Sequence, residues 1–184
     1  TYPFHDTYYN PSFWTGIPVN ESSSNDERIK DAMNRSSNYA ISQFESVKNY
    51  IKNLGINKPI HIGETGWASI SSDNYGQNGT RAADEYKQHL YYSNMIDYGK
   101  KNNISIFYFS AFDEPWKDFK NPNGSENHFG LFTVDGKAKY AMWKNLDKGL
   151  LNGLGRNGLE VSKTYRGKRK NMMIDVLTPN KKNK

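Results

Sequence analysis

A nine-residue run, Ile104-Ser105-Ile106-Phe107-Tyr108-Phe109-Ser110-Ala111-Phe112, constrains the fold of this chain most. Its β-branched and aromatic residues read as a strand, bounded by Asn102-Asn103 on one side and Asp113-Glu114-Pro115 on the other. A second apolar segment, Pro59-Ile60-His61-Ile62-Gly63-Glu64, reads as a short buried strand. Between and around these lie helical stripes. Ile29, Met33, Ala40, Phe44, Val47, Ile51 and Leu54 recur mostly three or four apart, with Asn25 or Asp26 as the expected cap, Ser36-Ser37 as an expected interruption and Gly55 as the stop. A second helix is expected after Thr80, with Asp84 and Glu85 early and Lys100-Lys101 late, the polarity the helix dipole favours. After Leu131-Phe132, an Asp135-Gly136 turn opens a third, from Ala138 to about Leu151.

Strands that alternate with helices pair in parallel through crossovers. The expected fold class is therefore α/β. The content is one partial strand at Tyr2-Pro3-Phe4, two full strands and three helices, about three eighths of a (β/α)8 barrel, a fold that normally takes ~250 residues. The opening Thr1-Tyr2-Pro3-Phe4 carries no Met, no basic start and no apolar signal core, and reads as the end of a strand begun upstream, so a fragment is expected. No apolar run approaches the roughly 20 residues of a bilayer span.

Charge narrows the function classes. The net charge of +6 is unevenly spread: residues 155–184 hold 9 basic and 2 acidic residues, the other 154 hold 16 and 17. A neutral body with a basic end offers no footprint for nucleic acid. The chain divides into an expected body, residues 1–154, and a basic extension, residues 155–184, whose Arg166-Gly167-Lys168-Arg169-Lys170 run reads as solvated surface. Cysteine is absent, which excludes disulfides and a thiol nucleophile. His5 and His128 lack metal-ligand spacing, and neither a phosphate loop nor a Ser/His/Asp signature occurs, so no cofactor and no metal are expected.

In parallel α/β folds chemistry sits at the C-terminal ends of strands. Tyr2 and Phe4 end the first, Glu64-Thr65-Gly66-Trp67 the second, and Asp113-Glu114-Pro115-Trp116-Lys117 the third. A carboxylate ending an apolar strand beside a Trp suits glycosidic bond cleavage, whose oxocarbenium-like transition state a carboxylate can attack or stabilise. Aromatic faces suit the C–H faces of sugars. Glu114 and Glu126 could share a hydrogen-bond network with Lys117 that keeps the nucleophile ionised. By pattern alone Glu64 fits equally a structural strand-end carboxylate, and the Glu114, Lys117, Glu126 group fits a loop-stabilising ion-pair cluster. Trp14 and Trp143 read as packing residues, and His61, by alternation with Ile60, Ile62 and Glu64, as facing the helix layer.

Three motifs then carry a resemblance. Ile62-Gly63-Glu64-Thr65-Gly66-Trp67-Ala68-Ser69 resembles the nucleophile signature of glycoside hydrolase family 17, the β-1,3-glucanases and β-1,3-glucanosyltransferases. Phe112-Asp113-Glu114-Pro115-Trp116-Lys117 followed by Glu126-Asn127-His128-Phe129-Gly130-Leu131-Phe132 is similar to its last-strand motif, and Tyr2-Pro3-Phe4 to an earlier strand element. The three stand in matching order over roughly residues 1–165, closest to bacterial-type members. The resemblance implies a partial TIM (β/α)8 barrel of about the last three β/α units, lacking the N-terminal strands, and a retaining mechanism on β-glucan, foremost β-1,3-glucan. It implies Glu64 as nucleophile, Glu114, Lys117 and Glu126 as the polar network around it, and Tyr2, Phe4, Trp67, Trp116 and Phe129 as substrate-binding or cleft-forming residues. Ala68 stands where many plant members have Pro. The family's acid/base Glu follows an Asn on a strand that would precede Thr1; Asn20-Glu21 lies in a loop and does not fit. The implied partners are a β-glucan oligo- or polysaccharide and the N-terminal half of the barrel, without nucleic acid or membrane span, and the substrate class implies secretion or the cell envelope. A non-catalytic carbohydrate-binding module and a glucanosyltransferase are the alternatives.

Overall fold

The structure is a computed structural model that describes residues 23–70 and 81–178. The first helix, α1 (Asn25–Asn53), is capped by Ser24, one residue before the earlier of the two expected caps. Ser24 Oγ accepts from the Glu27 amide, and the Glu27 carboxylate accepts from the Ser24 amide at 2.7 Å. Serine followed three residues later by glutamate satisfies two end donors reciprocally, which Asn25 and Asp26 do not do here. Ser36 and Ser37 do not interrupt the helix. Their hydroxyls donate to the carbonyls of Ala32 (3.1 Å) and Met33 (2.9 Å), so both bury without an unmet polar group. Gly55 ends it at φ +75°, with its own amide on the Lys52 carbonyl and that of Ile56 on Ile51.

Two parallel strands, β1 (Ile62–Thr65) and β2 (Ile106–Tyr108), flank α2 (Glu85–Asn102) in sequence. Asp84 caps α2, its carboxylate accepting the Lys87 amide at 2.8 Å; the expected cap, Thr80, lies outside the described residues. Both strands are shorter than their apolar runs. Past Phe109 the chain leaves β1 for another partner: Leu131 and Phe132 donate to Ser110 and Ala111, and Asp113 donates to Phe132, all at 2.9 Å. The remainder of the run therefore pairs with residues 131–132 rather than extending β2.

A bulge decides which side chains face where. Ile62 pairs with Ile106 and Thr65 with Tyr108, so three steps along β1 match two along β2. Ile62 and Thr65 both bury on the helix side, where Thr65 Oγ1 lies 2.7 Å from the Tyr91 hydroxyl, while Gly63 and Glu64 are exposed. Strict alternation from Ile62 would turn Glu64 towards the helices. The extra residue re-aims it. His61 is consequently not in the helix layer. It is exposed, its ring edge-on to the exposed Phe107 at 5.5 Å.

The main core lies between α1, the sheet and α2, around Met33, Phe44, Ile62, Trp67, Tyr91 and Met95. A smaller one surrounds α3 (Tyr140–Asp147), with Ala138, Met142 and Trp143. α3 begins two residues later than expected because Ala138 is engaged in extended pairing: its amide donates to Ser162 and its carbonyl accepts from Thr164. Gly149, at φ +71°, follows the early end of α3.

Beyond Leu154 come a hairpin of β3 (Gly155–Arg156) and β4 (Leu159–Glu160), a 3-10 turn at Thr164–Gly167 and a short α4 (Arg169–Met172). Arg166 to Lys170 is exposed, yet the segment is tied to the body. Met172 enters the main core, and the buried ammonium of Lys87 donates to the Leu177 carbonyl at 2.8 Å. No helix among the described residues is long and apolar enough to cross a membrane.

Candidate active site

Glu64 is the third residue of β1, exposed at its C-terminal end. The next amide to be bonded there comes from the neighbouring strand: Phe109 donates to the Thr65 carbonyl at 2.7 Å. Gly66 leaves no space for a side chain, since a Cβ would stand 2.2 Å from the Phe109 carbonyl oxygen. Gly130 is as tightly placed, its absent Cβ falling 2.1 Å from the Asp113 amide nitrogen. Both glycines allow backbones to touch where three strand-end segments meet.

Those segments carry the candidate carboxylates. Glu114 donates its amide to the Asn127 carbonyl at 3.1 Å, Ser110 to Phe129 at 3.3 Å, and Ser69 to His128 at 3.0 Å. Glu114 is therefore directly bonded to the neighbour of Glu126, and the segment following Glu64 to the residue two beyond Glu126. The Glu114 side chain is half-buried. Its Oε2 is shielded from solvent, accepts no hydrogen bond among the described residues, and lies 3.8 Å from Lys117 Nζ. That ammonium also sits 4.0 Å above the Phe109 ring, a geometry in which the ring's negative face favours the cation. Glu126, on the 3-10 turn Ser125–Asn127, makes no ion pair with Lys117, so the expected three-member network reduces to the Glu114–Lys117 pair.

The aromatic residues separate. Trp116 is 64% exposed beside Lys117. Trp67 is 0% exposed, its indole N–H donating to the Ala82 carbonyl at 2.9 Å and its ring 5.2 Å from Tyr91. It is a core residue and presents no face to a sugar. Phe129 is 4% exposed, against Phe109 and Gly66, and shapes the wall from within. An apolar ring following a strand end can face the cleft or the core, and the core took both. Tyr2, Phe4 and Trp14 lie outside the described residues, and Trp143 packs in the α3 core. Among the described residues no group of three or more His, Asp and Glu side chains is placed to hold a metal.

Sequence reasoning missed a buried polar cluster beneath this rim. Lys139, 2% exposed, donates through Nζ to Asp113 Oδ1 at 2.6 Å and Ser69 Oγ at 2.7 Å, with the His128 carbonyl at 3.4 Å. Asp113 Oδ1 also accepts the Gly130 amide at 3.0 Å. Burial pulls the Lys139 ammonium below its ordinary range, opposed by the Asp113 charge. Glu85 is buried on the α2 side, where one oxygen accepts from the Tyr140 amide (2.8 Å) and the Thr164 hydroxyl (2.7 Å); burial pushes its carboxyl up. Gln88 donates to the carbonyls of Trp67, Phe129 and Gly130, stitching the same segments from below. Lys137-Ala138-Lys139 alternates as an ordinary exposed edge would, so nothing in the sequence marks Lys139 as buried.

The sequence model of the family described as "Glycosyl hydrolases family 17" matches residues 30–143, more than half the chain. This chain belongs to glycosyl hydrolase family 17. Among solved structures, an endo-laminarinase from Formosa Hel1_33_131 is 54% identical with a TM-score of 0.92, covering 100% of this chain and 47% of its own. The likeness gives a TIM-barrel-type α/β fold. Among curated family relatives, a glucan 1,3-beta-glucosidase of Arthroderma benhamiae is 39% identical over 88 residues, 44% of this chain and 27% of the relative. Glucan endo-1,3-beta-glucosidase 5 of Arabidopsis thaliana is 26% identical over 158 residues, 82% of this chain and 31% of the relative. The chain thus spans under a third of these two relatives and about half of the laminarinase chain.

Proposed function

We propose that this chain is the nucleophile-bearing part of a (β/α)8 barrel, about its last three β/α units, that hydrolyses O-glycosidic bonds in β-glucan, foremost β-1,3-glucan. In this reading residues 1–154 belong to the barrel and 155–184 are a basic extension. The reading is carried by one observation: the bulge exposes Glu64 at a strand end that backbone hydrogen bonds join to the segments of Glu114 and Glu126. The 54% identity with the Formosa endo-laminarinase supports the substrate class. The sheet supports the barrel, because a parallel sheet is normally covered on both faces. Here the helices cover one face, and the other exposes His61, Gly63 and Phe107.

In this reading the Glu64 carboxylate attacks the anomeric carbon and forms a glycosyl ester, while the leaving oxygen takes a proton from an acid/base Glu outside this chain. Water deprotonated by the same residue then releases the sugar with retained configuration. Lys117 neutralises Glu114 next to the site, so that the negative charge facing the developing oxocarbenium belongs to Glu64. Trp116 offers an exposed ring for the C–H face of a neighbouring sugar.

The test is Glu64→Gln in the protein carrying the whole barrel. Cleavage of β-1,3-glucan is expected to fall by several orders of magnitude, with the folded state unchanged by circular dichroism. Cleavage near the unsubstituted rate removes the assignment. The exposed Trp116 also suits a module that binds glucan without cleaving it; an unsubstituted barrel that retains glucan but releases no reducing ends would establish that alternative. Transfer products longer than the substrate would mark a glucanosyltransferase.

A further inference from the structure

We infer that Lys139 is the positioning residue that locks the three carboxylate-bearing segments of the rim into one register; this rests on the glycosidase reading above. The ammonium bonds one group from each. Ser69 Oγ lies five residues after Glu64, Asp113 immediately precedes Glu114, and the His128 carbonyl lies two residues after Glu126.

The chemistry of the cluster favours one arrangement. An ammonium has three donors and no acceptor, and here three acceptors surround it. At 2% exposure it can draw no replacement partner from water, so a shift of any one segment leaves a buried donor unmet. Ser69 Oγ is anchored in turn, donating to the His128 carbonyl at 3.1 Å. Asp113 is held by the Gly130 amide, at the glycine whose close approach fixes the backbone beside it. Without it, the relative height of Glu64 and Glu114 would rest on the backbone bonds between segments and on the separate contacts of Gln88 and Asp113, neither of which bonds all three. The buried cation constrains that height, because a shift of either segment breaks a bond to it.

A retaining site needs its groups held that closely, and a misplacement of about 1 Å can lower turnover on the order of 10²-fold. In the enzyme carrying the whole barrel, Lys139→Met is expected to lower kcat by on the order of 10²-fold with KM within a few-fold of its original value. The measurement is made well below the melting temperature, where circular dichroism gives equal folded fractions. Lys137→Ala, which removes only the exposed pair with Asp135, is the control and should leave kcat unchanged. If Lys139→Met does not fold, Ser69→Ala decides, with a several-fold loss of kcat at unchanged KM expected. Folded Lys139→Met or Ser69→Ala protein with unaltered kcat overturns the inference. Because Glu64→Gln is measured alongside, its loss of activity together with unaltered Lys139→Met turnover rejects the positioning role alone, whereas full activity of Glu64→Gln rejects the underlying reading.

Discussion

The pair Asp84–Lys87 allows a cap to be separated from a buried charge. Asp84 Oδ1 accepts the Lys87 amide at the start of α2 (2.8 Å), and Oδ2 pairs with the Lys87 ammonium, whose side chain is fully shielded from solvent. Asp84→Asn keeps the cap, because an amide oxygen accepts the same N–H, but sets an NH2 group against a buried cation. An unpaired buried charge typically costs about 3–5 kcal/mol; the Leu177 carbonyl, 2.8 Å from the ammonium, keeps the expectation at the lower end, about 3 kcal/mol. Asp84→Ala loses the cap as well, roughly 1 kcal/mol more. For a protein of this size or somewhat larger, about 3 kcal/mol corresponds to roughly 6–12 °C in Tm. The double variant Asp84→Asn with Lys87→Met removes the charge and keeps a linear apolar stem, and should recover at least half of the loss, the remainder reflecting the abandoned Leu177 carbonyl. Urea unfolding at neutral pH measures all three. Burial holds Lys87 below its ordinary range, against the pull of Asp84. A folded-state value below the unfolded one means that the unfolded chain binds the extra proton, so this contribution to stability rises with pH through the window between them. The gap between Asp84→Asn and the unsubstituted protein should therefore narrow in alkaline solution. An Asp84→Asn variant within about 1 kcal/mol of the original, or a double variant no better than the single, would refute the reasoning.

Glu85 gives the opposite sign. Burial raises its folded carboxyl above the unfolded value, so the folded state holds the extra proton and stability is lost as pH rises through the raised value. Because both hydrogen bonds fall on one oxygen, Glu85→Gln retains them, and its Tm should match the original near about pH 4 and exceed it near about pH 7; an unchanged difference across that range contradicts the assignment. The two tryptophans should part in a paired assay. Trp67→Phe is expected to lower Tm through a lost hydrogen bond and packing volume, whereas Trp116→Ala should leave Tm unchanged and weaken laminari-oligosaccharide binding, read by calorimetry. A destabilised Trp116→Ala, or a Trp67→Phe that alters only binding, would reverse the two roles.

Local patterning settled a good deal. The three-and-four spacing of α1, the dipole-matched charges of α2 and the apolar runs of β1 and β2 depend on period and composition, which are properties of a chain before it folds. The glycine at 55 and the family motifs around Glu64 and Glu114 were likewise legible, since backbone freedom and reactive residue types are written in the residues themselves. Tertiary structure alone decided three other matters. It fixed strand length, because Ser110 and Ala111 found better partners at Leu131 and Phe132 than in β1. It fixed facing, because a bulge added one residue to a period of two and put His61 and Glu64 outside, Ile62 and Thr65 inside. And it buried Lys139 and Lys87 while exposing Trp116, since burial depends on which acceptors the fold assembles around a group: those of Lys139 come from 11 to 70 residues away, and Lys87 adds to nearby Asp84 the Leu177 carbonyl, 90 residues away.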